Sequence, residues 1–212
     1  MSKPTFAFKA TAAAVLLGTA VAANAESNFK SNAGAQTATA NLDFQITIPK
    51  ILFLQVGTGT TFADNATKDF ITFAPPAARI GLGCGTASDC AGAGGDQTNG
   101  AVTAVLLSNA GSVTINANTS GGVLNDGGTN TIPYSKILVA STALAVPPIA
   151  GSSLWTFPGW DTSTTYTPAA ATVTNLSAKW TFTYANNTIP PAGVYGGQNV
   201  NKGRVAFTAT AP

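Results

Sequence analysis

The stretch Ala38-Thr-Ala-Asn-Leu-Asp-Phe-Gln-Ile-Thr-Ile48 decides the fold class. Ala38, Ala40, Leu42, Phe44, Ile46 and Ile48 fall on one side of an extended chain, and Thr39, Asn41, Asp43, Gln45 and Thr47 on the other. Successive strand residues face opposite sides, so a period-two run of this kind buries one face and hydrates the other. Pro49 ends the run, because proline has no N–H to give a ladder. A second run, Ile51–Val56, follows and stops at Gly57-Thr58-Gly59.

The same signature recurs to the C-terminus. Candidate strands are Asp69–Phe73, Arg79–Leu82, Ala101–Leu107, Ser112–Asn118, Ser135–Ala140, Ala171–Leu176, Lys179–Tyr184 and Arg204–Thr210. Turn signals separate them, among them Asn109-Ala110-Gly111, Gly121-Gly122, Asn125-Asp126-Gly127-Gly128, Asn186-Asn187 and Gly196-Gly197. Nothing after Glu26 sustains the 3.6-residue period of an amphipathic helix. Short strands at this spacing predict an all-β sandwich or barrel. Residues 91–100 and 145–167 are expected to be its long loops. The last run places Val205, Phe207, Ala209 and Ala211 on one face, so the chain ends inside a strand.

Upstream of the alternation the chain changes character twice. Lys3 and Lys9 precede and border a small, apolar run from Ala10 to Ala22, and Ala23-Asn24-Ala25 has the small-x-small form of a cleavage site. Residues 1–25 are therefore expected to be a cleaved secretory signal that carries the protein across the inner membrane. No later stretch is apolar enough to predict stable membrane insertion. Residues 26–37, ESNFKSNAGAQT, are small and polar with no hydrophobic period, and read as a flexible arm ahead of a single domain over 38–212.

Charge narrows the function classes. The chain has ten Lys and Arg, of which Lys3 and Lys9 lie in the leader, against eight Asp and Glu, so the mature protein is close to neutral. Neutrality supplies no electrostatic attraction to nucleic acid or anionic lipid. Charged residues are 8% of the chain, where ordinary soluble domains have about 25%. Such a surface favours self-association.

Catalytic chemistry finds few residues to work with. There is no histidine, hence no Ser-His-Asp or Cys-His arrangement, and no phosphate-binding glycine loop followed by Lys-Ser/Thr. No enzyme activity, metal or cofactor is expected. Asp64-Asn65 with Asp69, and Asn125-Asp126 with Asn130, are oxygen-rich but read first as turn residues. In an oxidising compartment Cys84 and Cys90 are expected to form a local disulfide. Trp155, Phe157, Trp160 and Tyr166 share one loop-rich stretch. They read as the cap of the domain or as a contact between subunits, and alternatively as a stacking platform for sugars.

The layout resembles pilins of the chaperone–usher type: a signal peptide, a short arm, a long alternating first strand, a glycine-bounded β domain and an alternating strand at the C-terminus. That resemblance implies an immunoglobulin-like sandwich that lacks one strand. A neighbour's N-terminal arm fills the gap after a periplasmic chaperone has held it and an outer-membrane usher has passed it on. The partners it implies are further copies of the chain in an extracellular filament on the cell surface. The donor strand is expected within residues 28–39, with Phe29, Ala33, Ala35 and Thr37 toward the groove, or from a longer donor reaching Phe44. The chain departs from the family pattern at Ala211, where many pilins have tyrosine, and in the close spacing of Cys84 and Cys90. A separate pilus family fits the same layout. A secreted carbohydrate-binding adhesin and a surface-layer or matrix protein are the alternatives.

Overall fold

The computed structural model describes residues 27–168 and 173–212. The expected signal sequence lies outside the described residues. The chain divides into two units, one ending at Ile48 and one spanning Pro49–Pro212. In the first, residues 27–48 are exposed and assigned to no strand. This differs from the expected first strand at Ala38–Ile48. The physical reason is that alternation creates a need for a ladder and a core without supplying either. Leu42, Phe44, Ile46 and Ile48 are 75–86% exposed.

The second unit is all β apart from three single-turn 3-10 helices, and no α-helix occurs among the described residues. Its strands are β1 (Leu52–Val56), β2 (Ile71–Thr72), β3 (Ala93–Gly94), β4 (Ala101–Ser108), β5 (Val113–Asn118), β6 (Val123–Asn125), β7 (Thr131–Pro133), β8 (Ile137–Thr142), β9 (Ser153–Leu154), β10 (Ser163–Tyr166), β11 (Thr174–Tyr184) and β12 (Ala206–Thr210). One sheet runs β1-β4-β11-β8, with β9 added in parallel to the end of β11 that β8 leaves uncovered. A second runs β10-β5-β12, and β2-β3 and β6-β7 are small hairpin-like pairs. Every ladder other than β9–β11 is antiparallel.

The inward residues of these sheets share one apolar cluster. Ala104 and Leu106 of β4, Ala178 and Trp180 of β11, and Val113 and Ile115 of β5 are all wholly buried within it. β4 reads AVTAVLLS, a continuous rather than alternating run, and it is buried along its whole length. Central strands covered on both faces have that composition. β11 is one unbroken strand where two were expected, because its Thr174–Thr181 segment stays in register with β4 from Ser108 to Ala101. The expected strand Arg79–Leu82 is instead a 3-10 turn, Ala77–Arg79, followed by Gly81 and Gly83 in left-handed conformations. Two positive-φ glycines end an extended run at once.

Candidate functional site

β1 and β12 border the place where the two larger sheets fail to join. Among the described residues β1 is laddered only to β4, and β12 only to β5, so each has one edge without a ladder there. Lys50 Nζ donates to the main-chain oxygen of Pro212 at 3.3 Å, which puts the start of β1 beside the end of β12. The two strands therefore run in opposite directions along a seam with no ladder across it.

Apolar side chains lie under that seam. Leu54 and Val56 of β1, and Val205, Phe207, Ala209 and Ala211 along β12, pack on the core yet remain partly exposed. On the neighbouring strand β5, Val113, Ile115 and Ala117 are 0% exposed. The two strands belong to one sheet and alternate in the same way; β5 has a strand on each side and β12 on one. A free edge also leaves backbone N–H and C=O groups without ladder partners, the usual template for pairing with another chain.

The segment after β1 walls one side of the seam. Asp69 accepts hydrogen bonds from the Thr58 amide and from Thr58 Oγ1, the latter at 3.0 Å, and so closes residues 58–69 into a loop. Phe62 on that loop has φ of 61°, a conformation bulky residues seldom adopt. Its ring lies 5.7 Å from that of Phe53. Between the loop, β1 and Phe207 is a cleft of about 250 Å³.

At the mouth of the seam one side chain holds the chain's direction. Asn109 Nδ2 donates to the Pro49 carbonyl at 2.8 Å, and Asn109 Oδ1 accepts from the Ile51 amide at 2.8 Å. The sequence reads Asn109 only as a turn residue between β4 and β5; no local pattern announces its reach back across the sheet.

The expected donor residues Phe29, Ala33, Ala35 and Thr37 are exposed on the segment that precedes Pro49. A bend at Ala33-Gly34, where the Asn32 side chain accepts from the Ala33 amide at 2.6 Å, interrupts their alternation. The apolar residues with an uninterrupted period lie further on, at Ala38–Ile48.

The four loop aromatics are brought together, inside the domain. Trp155 is wholly buried, its ring 4.6 Å from Trp180 and 6.1 Å from Tyr166. Phe157 stands edge-on to Trp160 at 4.6 Å and to Trp180 at 5.2 Å. Trp160 Nε1 donates to the Ile137 carbonyl at 3.0 Å, and Tyr166 Oη to that of Thr156 at 2.7 Å. Burial raises the Tyr166 phenol above its ordinary value. Packed in this way Trp155 has no ring face to offer a sugar; the group closes one side of the core.

Tyr134, also buried, donates to the Lys202 carbonyl at 2.8 Å. Burial first, and the Asp161 charge second, push its phenol up to about 12. Asp161 itself is held below the usual carboxylate range by hydrogen bonds from the Thr119 hydroxyl and amide.

Cys84 and Cys90 form a disulfide. The loop it closes is docked on the end of β11, where the Tyr184 amide donates to the Cys90 carbonyl at 3.0 Å. Asn186, nearly inaccessible, fastens the preceding turn by donating to the Arg79 carbonyl and accepting from the Gly81 amide. The oxygen-rich turns are occupied locally: Asp126 accepts from the Asn130 side chain and from the Gly128 amide, and Asn65 Oδ1 accepts from the Thr67 amide. Among the described residues no helix is long and apolar enough to cross a membrane.

Comparison with known proteins finds no matching family model, no matching curated protein and no matching solved structure.

Proposed function

We propose that this protein is a structural subunit of an extracellular fibre, an incomplete immunoglobulin-like β-sandwich that polymerises when the N-terminal arm of one copy supplies a strand to the next. The observation that carries this reading is a matched deficit. Among the described residues, two strand edges over half-buried apolar residues carry no ladder, and the chain has an exposed, alternating segment that is assigned to no strand. Strand addition satisfies both, since main-chain hydrogen bonds provide affinity and alternate side chains fill the pockets beneath. Low charge removes the electrostatic opposition to packing many copies together. On this reading the protein is secreted, carries no catalytic site, and finds its partners in its own copies, with a chaperone and an outer-membrane usher as the machinery that would shield and order the open seam.

The test is to express the full chain with residues 27–48 deleted, leaving the leader in place. Electron microscopy and size exclusion of the secreted material should show monomers and no filaments. Filaments of normal yield and length from the truncated protein would contradict the proposal.

A further inference from the structure

The outer face of the β10-β5-β12 sheet is built to meet the same face of a second copy, and we infer that this contact joins neighbouring fibres side by side. The inference rests on the fibre reading given above and concerns a surface that strand addition at the seam does not use. Alternation sets the face. Ile115 of β5, Tyr166 of β10 and Phe207 of β12 belong to the core or pack on it, so the residues next to them in each strand point out. The ladder registers gather those residues into rows: Thr165, Thr114 and Thr210 in one, Ser163, Asn116 and Thr208 in the next. Side chains repeat about 6.7 Å along each strand and about 4.8 Å between strands.

Three properties suit this face to its own copy. First, none of the three strands contains a charged residue. Placing two such faces together strips no ion of water and sets no like charges against each other. Arg204 and Asp161 flank one end of the sheet, and the Asp161 carboxylate is tied to Thr119; a twofold pairing with antiparallel strands sends the two copies of each to opposite ends. Second, the polar groups are partnered across the strands. Thr114 and Thr165 share a hydroxyl hydrogen bond of 2.9 Å, Asn116 Nδ2 donates to Ser163 Oγ at 3.3 Å, and Ser112 Oγ to Thr167 Oγ1 at 3.4 Å. A group that keeps a partner loses less when water leaves. Third, hydroxyls and carboxamides both donate and accept, so the face can complement its own image, as an isologous contact requires.

The other large sheet offers no such surface. Thr103, Val105 and Leu107 on the outward side of β4 are buried, and β11 carries Lys179. Ser163, Thr165, Thr208 and Thr210 are exposed. Size decides how the contact works. Three strands of about five residues cover roughly 14 by 17 Å, or about 240 Å², where a stable complex buries about 800 Å² per partner. Two free subunits therefore do not hold each other through this face. Two fibres do, because after the first contact each further one is intramolecular and the affinities compound.

The experiment uses the full chain with its leader. Thr165→Lys with Thr208→Lys places two charges on the face, in different rows and on either side of β5. Electron microscopy should show fibres at the parental yield and length with side-by-side bundles reduced about tenfold, and sedimentation should show parental and variant subunits alike monomeric before assembly. Mixing these fibres with fibres of Thr165→Glu with Thr208→Glu should restore the bundles, a rescue that a merely structural role would not produce. Thr208→Lys alone, at an exposed position, should thin the bundles in the same direction and serves where a double variant does not fold. Undiminished bundles in the lysine variants overturn this inference and leave the fibre reading standing, as do parental fibres that remain single. Single parental fibres that sediment with insoluble cellulose, through a binding the lysines abolish, give the face to a polysaccharide instead. A parental chain that forms no fibre overturns both.

Discussion

Two segments of this chain carry nearly the same pattern and meet different fates. Ala38–Ile48 alternates apolar and polar residues without a break, and so does Phe207–Ala211. The second is largely a strand, β12, laddered to β5 from Ala206 to Thr210; the first has no strand assignment and is exposed along its length. The difference teaches what alternation means. It states that one face must be buried and that both edges want hydrogen bonds. It does not state which molecule provides them. Among the described residues β12 has one neighbouring strand, so it stands between β5, which has two, and the arm, which is assigned to no strand.

Substitutions that sharpen this comparison follow the same gradient. The largest effect is expected in the closed half of the core, at Trp180, which is fully buried and donates through Nε1 to the Trp155 carbonyl at 2.9 Å. Trp180→Ala should lower the unfolding free energy by about 3–5 kcal/mol, read by denaturant titration of the monomer. On the open side, Phe207→Ala should cost the monomer clearly less, about 2 kcal/mol, because its ring is already partly in water. Equal costs at the two positions would mean that the seam is closed. Replacing Cys84 and Cys90 with serine removes a short loop constraint and should cost about 2 kcal/mol, with filaments retained. Phe44→Ser in the arm should change monomer stability by less than about 0.5 kcal/mol and yet suppress assembly. A destabilised monomer there would place Phe44 in its own core.

Alkaline pH probes the closed half as well. The Tyr134 phenol titrates near 12 in the folded protein against an ordinary value near 10. The neutral phenol is therefore favoured by folding, and that contribution is whole below pH 10. It fades as pH rises from 10 through 12, because the unfolded chain loses its proton first. The melting temperature should fall across that window, and Tyr134→Phe should flatten the fall. An unchanged slope would remove Tyr134 as its source.

Much of this architecture could be read before any coordinates. β4, β5, β11 and β12 announce themselves through continuous or alternating apolar runs, and the Cys84–Cys90 pairing follows from their proximity in the chain. The short ladders at Ser163–Tyr166 and Val123–Asn125 were not legible, because runs such as Ser-Thr-Thr-Tyr have no apolar face of their own and borrow order from β5. The burial of Trp155 was equally hidden: flanking Ser, Pro and Gly mark a loop, and only the fold shows that the loop turns inward over Trp180. The seam is legible from its two alternating borders but not as a gap. Asn109 was invisible, since its partners Pro49 and Ile51 lie on the far side of a ladder. Ala38–Ile48 has no strand assignment for a related reason: a perfect strand pattern says nothing of where its partner is.

The most direct measurement is a cryo-electron microscopy map of the proposed fibre at a resolution that traces the backbone through Pro49. The account predicts that Ala38–Ile48 leaves its own domain and lies between β1 and β12 of the next subunit, with Phe44 and Ile46 facing that subunit's core. A map in which the seam is filled by the chain's own residues, or in which 38–48 runs free along the fibre surface, would contradict it.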